Sequence, residues 1–107
     1  MNYRILRHPE IEQDLDDITL LIADYAGVDI ALQKLAAIEA SLTSLSRTPH
    51  LGTLRHEIHP NLRTIPTARK GVITFIVDDD TQTVLIVSIT YAGADWFGRV
   101  TKRFTRS

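Results

Sequence analysis

Two stripes of apolar residues constrain this chain more than anything else in it. Ile11, Leu15, Ile18, Ile22 and Tyr25 follow one another at alternating steps of four and three. Ala31, Leu35, Ile38, Leu42 and Leu45 repeat the pattern. Those steps return each side chain to one face of an α-helix, so the spacing predicts two amphipathic helices. Proline suits a first helical position and acids suit a first turn, so Pro9, Glu10 and Glu12 predict a start at Pro9. Gly27 ends that helix. Asp29 is placed to cap the next one, and Pro49 and Gly52 close it. With so few residues between them, the helices form an antiparallel hairpin. Their stripes cannot cover each other fully, so both must rest on a further layer.

The second half supplies that layer. Leu62 to Ile65 reads as a strand ended by Pro66. Val72 to Val77 is a β-branched run containing Phe75, and Thr83 to Tyr91 is the most apolar strand in the chain. The polar residues 78–82 between the last two make them a hairpin. Tyr3 to Arg7 is a short strand ahead of the helices. Asp95 can cap a final short helix or basic tail through Trp96, Phe97 and Val100. The resulting order is β-α-α-β-β-β, an α+β fold with a helical hairpin on a largely antiparallel sheet. With 107 residues, a single domain spanning 1–107 is expected.

Composition narrows the chemistry. There is no cysteine, so disulfides, thiolate metal sites and thiol nucleophiles are excluded. No run reaches the roughly 18 apolar residues of a membrane span. No apolar core of a signal peptide follows Met1-Asn2-Tyr3-Arg4, so a cytoplasmic location is expected. The net charge of −1 hides an asymmetry. Before Arg47 there are eight acids against three bases, and from Arg47 onward nine bases against five acids. A basic second half suits an acidic partner or nucleic acid, or simply a solvated surface.

The ordered blocks of the chain resemble the RelE/ParE toxin superfamily. Tyr3-Arg4-Ile5 precedes a Pro-led acidic helix at Pro9–Leu15. Pro49-His50-Leu51-Gly52-Thr53-Leu54-Arg55 is similar to the family's proline, glycine and arginine pattern after the second helix. Asn61-Leu62-Arg63 stands where a Gly-Leu-Arg strand is usual. Arg69 precedes the apolar strand Val72–Val77, and Ile86 to Trp96 resembles the closing strand and its small-residue tail. The likeness runs from Tyr3 to Trp96. Tyr91 stands where many relatives carry a histidine followed by glycine and an arginine.

The resemblance implies the toxin half of a type II toxin–antitoxin pair, ParE-like and silenced by a ParD-like antitoxin. ParE-like members poison DNA gyrase and RelE-like members cleave messenger RNA on the ribosome. Cleavage needs a base, cations for the phosphorane and an acid, for which Arg63, Arg69 and Tyr91 are the leading candidates, with Lys70 and His56 beside them. The tail has no tyrosine after Tyr91, which places the chain nearer ParE and makes an enzyme the lesser expectation; a non-toxic interaction domain is the remaining alternative. Arg55, Arg63 and Arg69, with the apolar strand residues Ile86 and Ile89, are the expected antitoxin contacts. Trp96, Arg99, Lys102 and Arg103 are the expected target contacts. No cofactor or metal is expected: His50, His56 and His59 lack a zinc spacing, and residues 78–80 suit a solvated turn.

Overall fold

Strand β1 (Arg4–Arg7) leads into helices α1 (Ile11–Ala26) and α2 (Val28–Ser44). The chain then runs through β2 (Thr53–Leu54), β3 (Leu62–Thr67), β4 (Gly71–Asp78) and β5 (Thr83–Tyr91) to α3 (Trp96–Thr105). The computed structural model describes residues 2–105; Arg106, counted above among the bases, lies outside them.

The first helix starts two residues later than Pro9. His8 does the capping: its Nδ1 accepts the Glu10 N–H at 3.1 Å and its carbonyl accepts the Ile11 N–H at 3.0 Å. Two donors at the helix start are thereby satisfied before α1 begins. Gly27 alone separates the helices, at φ +93° and ψ 164°. A side chain rarely adopts that conformation, so glycine is what allows two helices to meet with one residue between them. Asp29 falls within the first turn of α2 rather than at its cap.

The sheet has the order β1-β5-β4-β3-β2. β1 runs parallel to β5, and the other neighbours are antiparallel. The parallel pair is possible because the helical hairpin carries the chain back between β1 and the rest. Strand β2 was not expected from sequence; two residues are too few to show a period. It runs beside β3 because Gly52, at φ +83°, lets the loop press against the Thr64 backbone and Ile65, where a Cβ would collide. β3 does not stop at Pro66 as expected. Pro66 still pairs with Val72, and β2 ends opposite Thr64, so the missing N–H faces an open edge.

A bulge between β4 and β5 shapes the interior. Phe75 pairs with Ile86 and Thr74 with Ser88, so Val87 is the extra residue. The bulge resets the inside–outside alternation of β5. Val84, Ile86, Ile89 and Tyr91 join the core beneath the helices, while Val87 joins a second cluster on the opposite face. That is why this strand reads as apolar at adjacent positions. Under the hairpin, Ile11, Leu15, Ile18, Ile22, Ile38 and Leu42 pack with Phe75, Ile73 and Ile86. Leu35 is only partly buried, and Tyr25, the last residue of the first stripe, is 58% exposed. The hairpin tip is uncovered, with Leu21, Tyr25, Val28 and Leu32 all exposed.

Helix α3 lies on the other face. Trp96, Val100 and Phe104, at four-residue steps, pack with Leu62, Val87, Ile76 and Leu85. Asp95 starts the helix by accepting the Gly98 N–H at 3.0 Å, the cap expected from sequence. Among the described residues no helix is long and apolar enough to cross a membrane.

Candidate functional site

The expected target residues of α3 are brought together, but two of them are committed to structure. β1 pairs with β5 only as far as Ile86, whose carbonyl accepts the His8 N–H at 2.9 Å. Beyond that point the β5 edge carries backbone groups without a neighbouring strand. Side chains take the strand's place. Asp14 of α1, with 2% of its surface exposed, accepts the Ile89 N–H at 3.0 Å. Arg103 donates to the Val87 carbonyl at 2.8 Å, and Arg99 to the Ile89 carbonyl at 3.3 Å. Arg103 also grips both oxygens of Asp14, each at 2.7 Å, and Arg99 reaches Oδ1 at 3.4 Å.

This buried carboxylate with a bidentate arginine is the strong form of a charge-assisted bond. Pairing with Asp14 raises the Arg103 guanidinium above its ordinary range, against the opposing effect of burial. The arrangement ties α1, β5 and α3 into one polar joint. Sequence reading missed Asp14 because an acid in a first turn reads as a dipole complement. A signal was present: Asp14 lies three residues after Ile11 and four before Ile18, on the apolar face, and Arg99 and Arg103 are four apart. Of the α3 residues expected to meet a target, Lys102 is exposed and Trp96 is half-buried. Phe97, not among them, is 50% exposed.

The three arginines expected to meet an antitoxin do not form one surface. Arg55 lies on the α3 face, its guanidinium 5.0 Å from the Trp96 ring centre and its Nε bonded to Glu57 at 2.6 Å. Arg63 pairs across strands with Phe75, which faces the helices, and donates to the His50 carbonyl at 2.9 Å. Arg69 sits in the β3–β4 turn at the far end of β3. Ile86 and Ile89 are fully buried beneath the hairpin, so their side chains cannot serve as surface contacts; the bulge and the hairpin together account for this.

The cleavage candidates are likewise divided. Tyr91 pairs with Gly71, which brings it beside the turn carrying Arg69. Arg63 lies four residues before the end of β3 at Thr67, roughly 13 Å along the strand from the turn that carries Arg69. Three histidines also occupy separate places. The His50 Nε2 and the Tyr3 hydroxyl share Asp79 Oδ1 at 2.8 and 2.7 Å, His56 accepts the Asn61 N–H, and His59 stacks on Phe104. The bonds from Tyr3 and then His50 hold the Asp79 carboxyl below its usual range.

Arg69 and Tyr91 do share a cleft. It has a volume of about 450 Å³ and is lined by Tyr25, Ile30, Lys34, Arg69, Lys70 and Tyr91. The turn that forms one wall holds Ala68 at φ 49° and Arg69 at φ 71°. Two successive left-handed residues without a glycine cost on the order of 1–2 kcal/mol each. Tyr91 is 5% exposed, and burial, reinforced by its bond to Tyr25, pushes its phenol above the ordinary tyrosine range. Tyr25 was read as the end of the first apolar stripe and Lys34 as an ordinary helix residue, so neither was expected in a cleft.

The sequence and the fold agree with known toxins. A profile described as the ParE toxin of the type II toxin–antitoxin system, parDE, matches residues 5–96. No curated protein matches the chain. Among solved structures, the chromosomal ParDE toxin–antitoxin system of P. aeruginosa superposes with a TM-score of 0.70 at 21% identity. That match covers 84% of this chain and 96% of the other. The RelBE2 toxin–antitoxin complex of Mycobacterium tuberculosis gives 0.64 at 18% identity, covering 89% and 95%. A mutant of the E. coli toxin RelE in its free state gives 0.62 at 16%, covering 96% and 98%. The structural likenesses establish the shared fold, and the profile covers nearly the whole ordered sheet and hairpin: the chain belongs to the ParE toxin family of type II toxin–antitoxin systems.

Proposed function

We propose that the chain acts in the cytoplasm as a poison of DNA gyrase and is silenced by a ParD-like antitoxin. The observation that carries gyrase over ribosome-dependent cleavage is the placement of Arg63 four residues along β3 from the turn that holds Arg69 beside Tyr91. Acid–base cleavage of RNA needs its groups within hydrogen-bond reach of one phosphodiester, and roughly 13 Å of extended strand divides them. The α3 face suits a protein target instead: Phe97 and Lys102 are exposed on a helix whose inner side is fixed by Asp14. Purified toxin is expected to inhibit gyrase supercoiling and to trap cleaved DNA, and to leave ribosome-bound message intact. Codon-dependent cleavage with gyrase unaffected would transfer the assignment to the RelE-type activity.

The antitoxin reading draws support from the hairpin tip. Leu21, Tyr25, Val28 and Leu32 are exposed there, and Tyr25 shares a cleft with Arg69, which has no ion pair among the described residues. An amphipathic acidic tail complements such a surface, its apolar side on the tip and a carboxylate near Arg69. Arg55 and Arg63 are the secondary contacts in this reading, because their guanidinium groups already have partners within the chain. Co-expression with the neighbouring gene is expected to raise the soluble yield and the melting temperature. A toxin that is harmless alone, and does not retain the neighbour's product on a column, would favour a plain interaction domain.

A further inference from the structure

We propose that the cleft between the hairpin tip and the β3–β4 turn is a phosphate-binding site, for inorganic phosphate or for the phosphate of a nucleotide or nucleic-acid strand. This goes beyond the gyrase reading and does not depend on it. The first ground is the distribution of charge partners. Arg7, Arg55, Arg99 and Arg103 are all paired with carboxylates of the chain. Of the arginines and lysines with no ion pair among the described residues, which are Arg4, Lys34, Arg47, Arg63, Arg69, Lys70 and Lys102, three line this one cleft: Lys34, Arg69 and Lys70. No acid among the described residues lines it. Like charges gathered without a counter-charge repel one another, and an anion removes that repulsion.

The second ground is the wall chemistry. Tyr25 and Tyr91 both line the cleft, the first well exposed and the second 5% exposed. A phenol hydroxyl on a cleft wall is a donor for an anion. Three cations and a hydroxyl donor match a group with several terminal oxygens and more than one negative charge. A lone carboxylate is satisfied by a single arginine. The turn adds a third ground. Ala68 and Arg69 are both left-handed, as a tight hairpin between β3 and β4 demands, and that turn carries both Arg69 and Lys70 into the cleft lining.

The test titrates the isotope-labelled full chain, observed by amide NMR, with sodium phosphate, a nucleoside monophosphate and a short oligothymidylate. Sodium chloride at matched ionic strength is the control. Saturable shifts at Ala68–Gly71 and Lys34 are expected with phosphate and not with chloride. Arg69→Gly is the informative variant, because glycine accepts φ 71° and removes the cation without straining the turn. It is expected to weaken phosphate binding about tenfold or more while the rest of the spectrum is unchanged. Lys70→Ala is expected to act in the same direction. An oligothymidylate that binds more tightly than the monophosphate, and weakens steeply with salt, identifies a strand; equal binding identifies a free phosphate. Shifts that chloride reproduces, no saturation, or full affinity in Arg69→Gly would overturn the proposal. So would binding of a glutamate-rich peptide with none of phosphate, a result that leaves the antitoxin reading standing.

Discussion

The two faces of the sheet are held by different physics. Beneath the helical hairpin lies a continuous apolar cluster from Ile11 to Tyr91, with Phe75 at its centre. Beneath α3 the fully buried apolar residues are Leu62, Val87 and Val100, helped by half-buried neighbours. What α3 lacks in apolar contact it makes up with Asp14, Arg99 and Arg103, which bond the open edge of β5 and one another. The hairpin face is indifferent to which side chain supplies the volume, within limits of packing. The α3 face depends on particular atoms. Mutations on the two faces should therefore fail in different ways.

The largest effect is expected on the hairpin face. Phe75→Ala removes a fully buried ring and is expected to cost about 4 kcal/mol, read as a lower urea midpoint for the whole protein. Helix and sheet signals should fall together, because the cluster joins every element but α3 and β2. Asp14→Ala comes next, at about 3 kcal/mol, since it leaves the Ile89 N–H without its acceptor and takes the carboxylate from Arg99 and Arg103, which keep their backbone carbonyls. Its signature is local: hydrogen exchange should quicken through α3 and at Ile89 while the hairpin stays protected. Uniform loss of protection would break the contrast between the faces.

Two smaller effects sharpen it. Asp95→Ala removes the cap at Gly98 and is expected to cost about 1 kcal/mol, again read as faster exchange in the first turn of α3. The smallest is a pH effect. Asp79 is held below its ordinary range by Tyr3 and His50, so its contribution is present above the unfolded carboxyl value and is lost as pH falls through the lowered folded value. Acid titration of wild type and Asp79→Asn should give melting temperatures that converge at low pH. A difference that stays constant down to strongly acidic pH would show that the Tyr3–Asp79–His50 contact contributes nothing titratable.

The hairpin face was legible in the sequence because its cause is periodic. Ile11, Leu15, Ile18 and Ile22 declare a face by spacing alone, and so do Ile38 and Leu42. The stripes predicted too much at Tyr25, where the helix continues and the covering sheet does not, and at Leu35, which is only partly buried. The α3 face was legible as a helix and not as a joint. Arg103 and Asp14 are 89 positions apart, and no local pattern announces that they meet. Arg103 was expected at a target surface and is found with its side chain 6% exposed, because the partner that buries it comes from the other end of the chain. The same reason separates the expected arginines. Arg55, Arg63 and Arg69 are near neighbours in sequence, but strand alternation turns two of them to opposite faces, and strand length carries the third away.

The parallel pairing of β1 with β5 has a consequence in time as well as in space. Arg4 cannot find Thr83, nor Asp14 find Arg103, until the last third of the polypeptide exists. The antiparallel run from β3 through β5 closes over short loops and can assemble early, whereas the chain's opening strand must wait and then close the longest loop in the molecule. During synthesis the first strand and the first helix emerge before the sheet they rest on, and α3 follows the strands it packs against. Synthesis through α3 is thus a condition for a closed fold, and chains released before it would lack the joint and the helix that complete it.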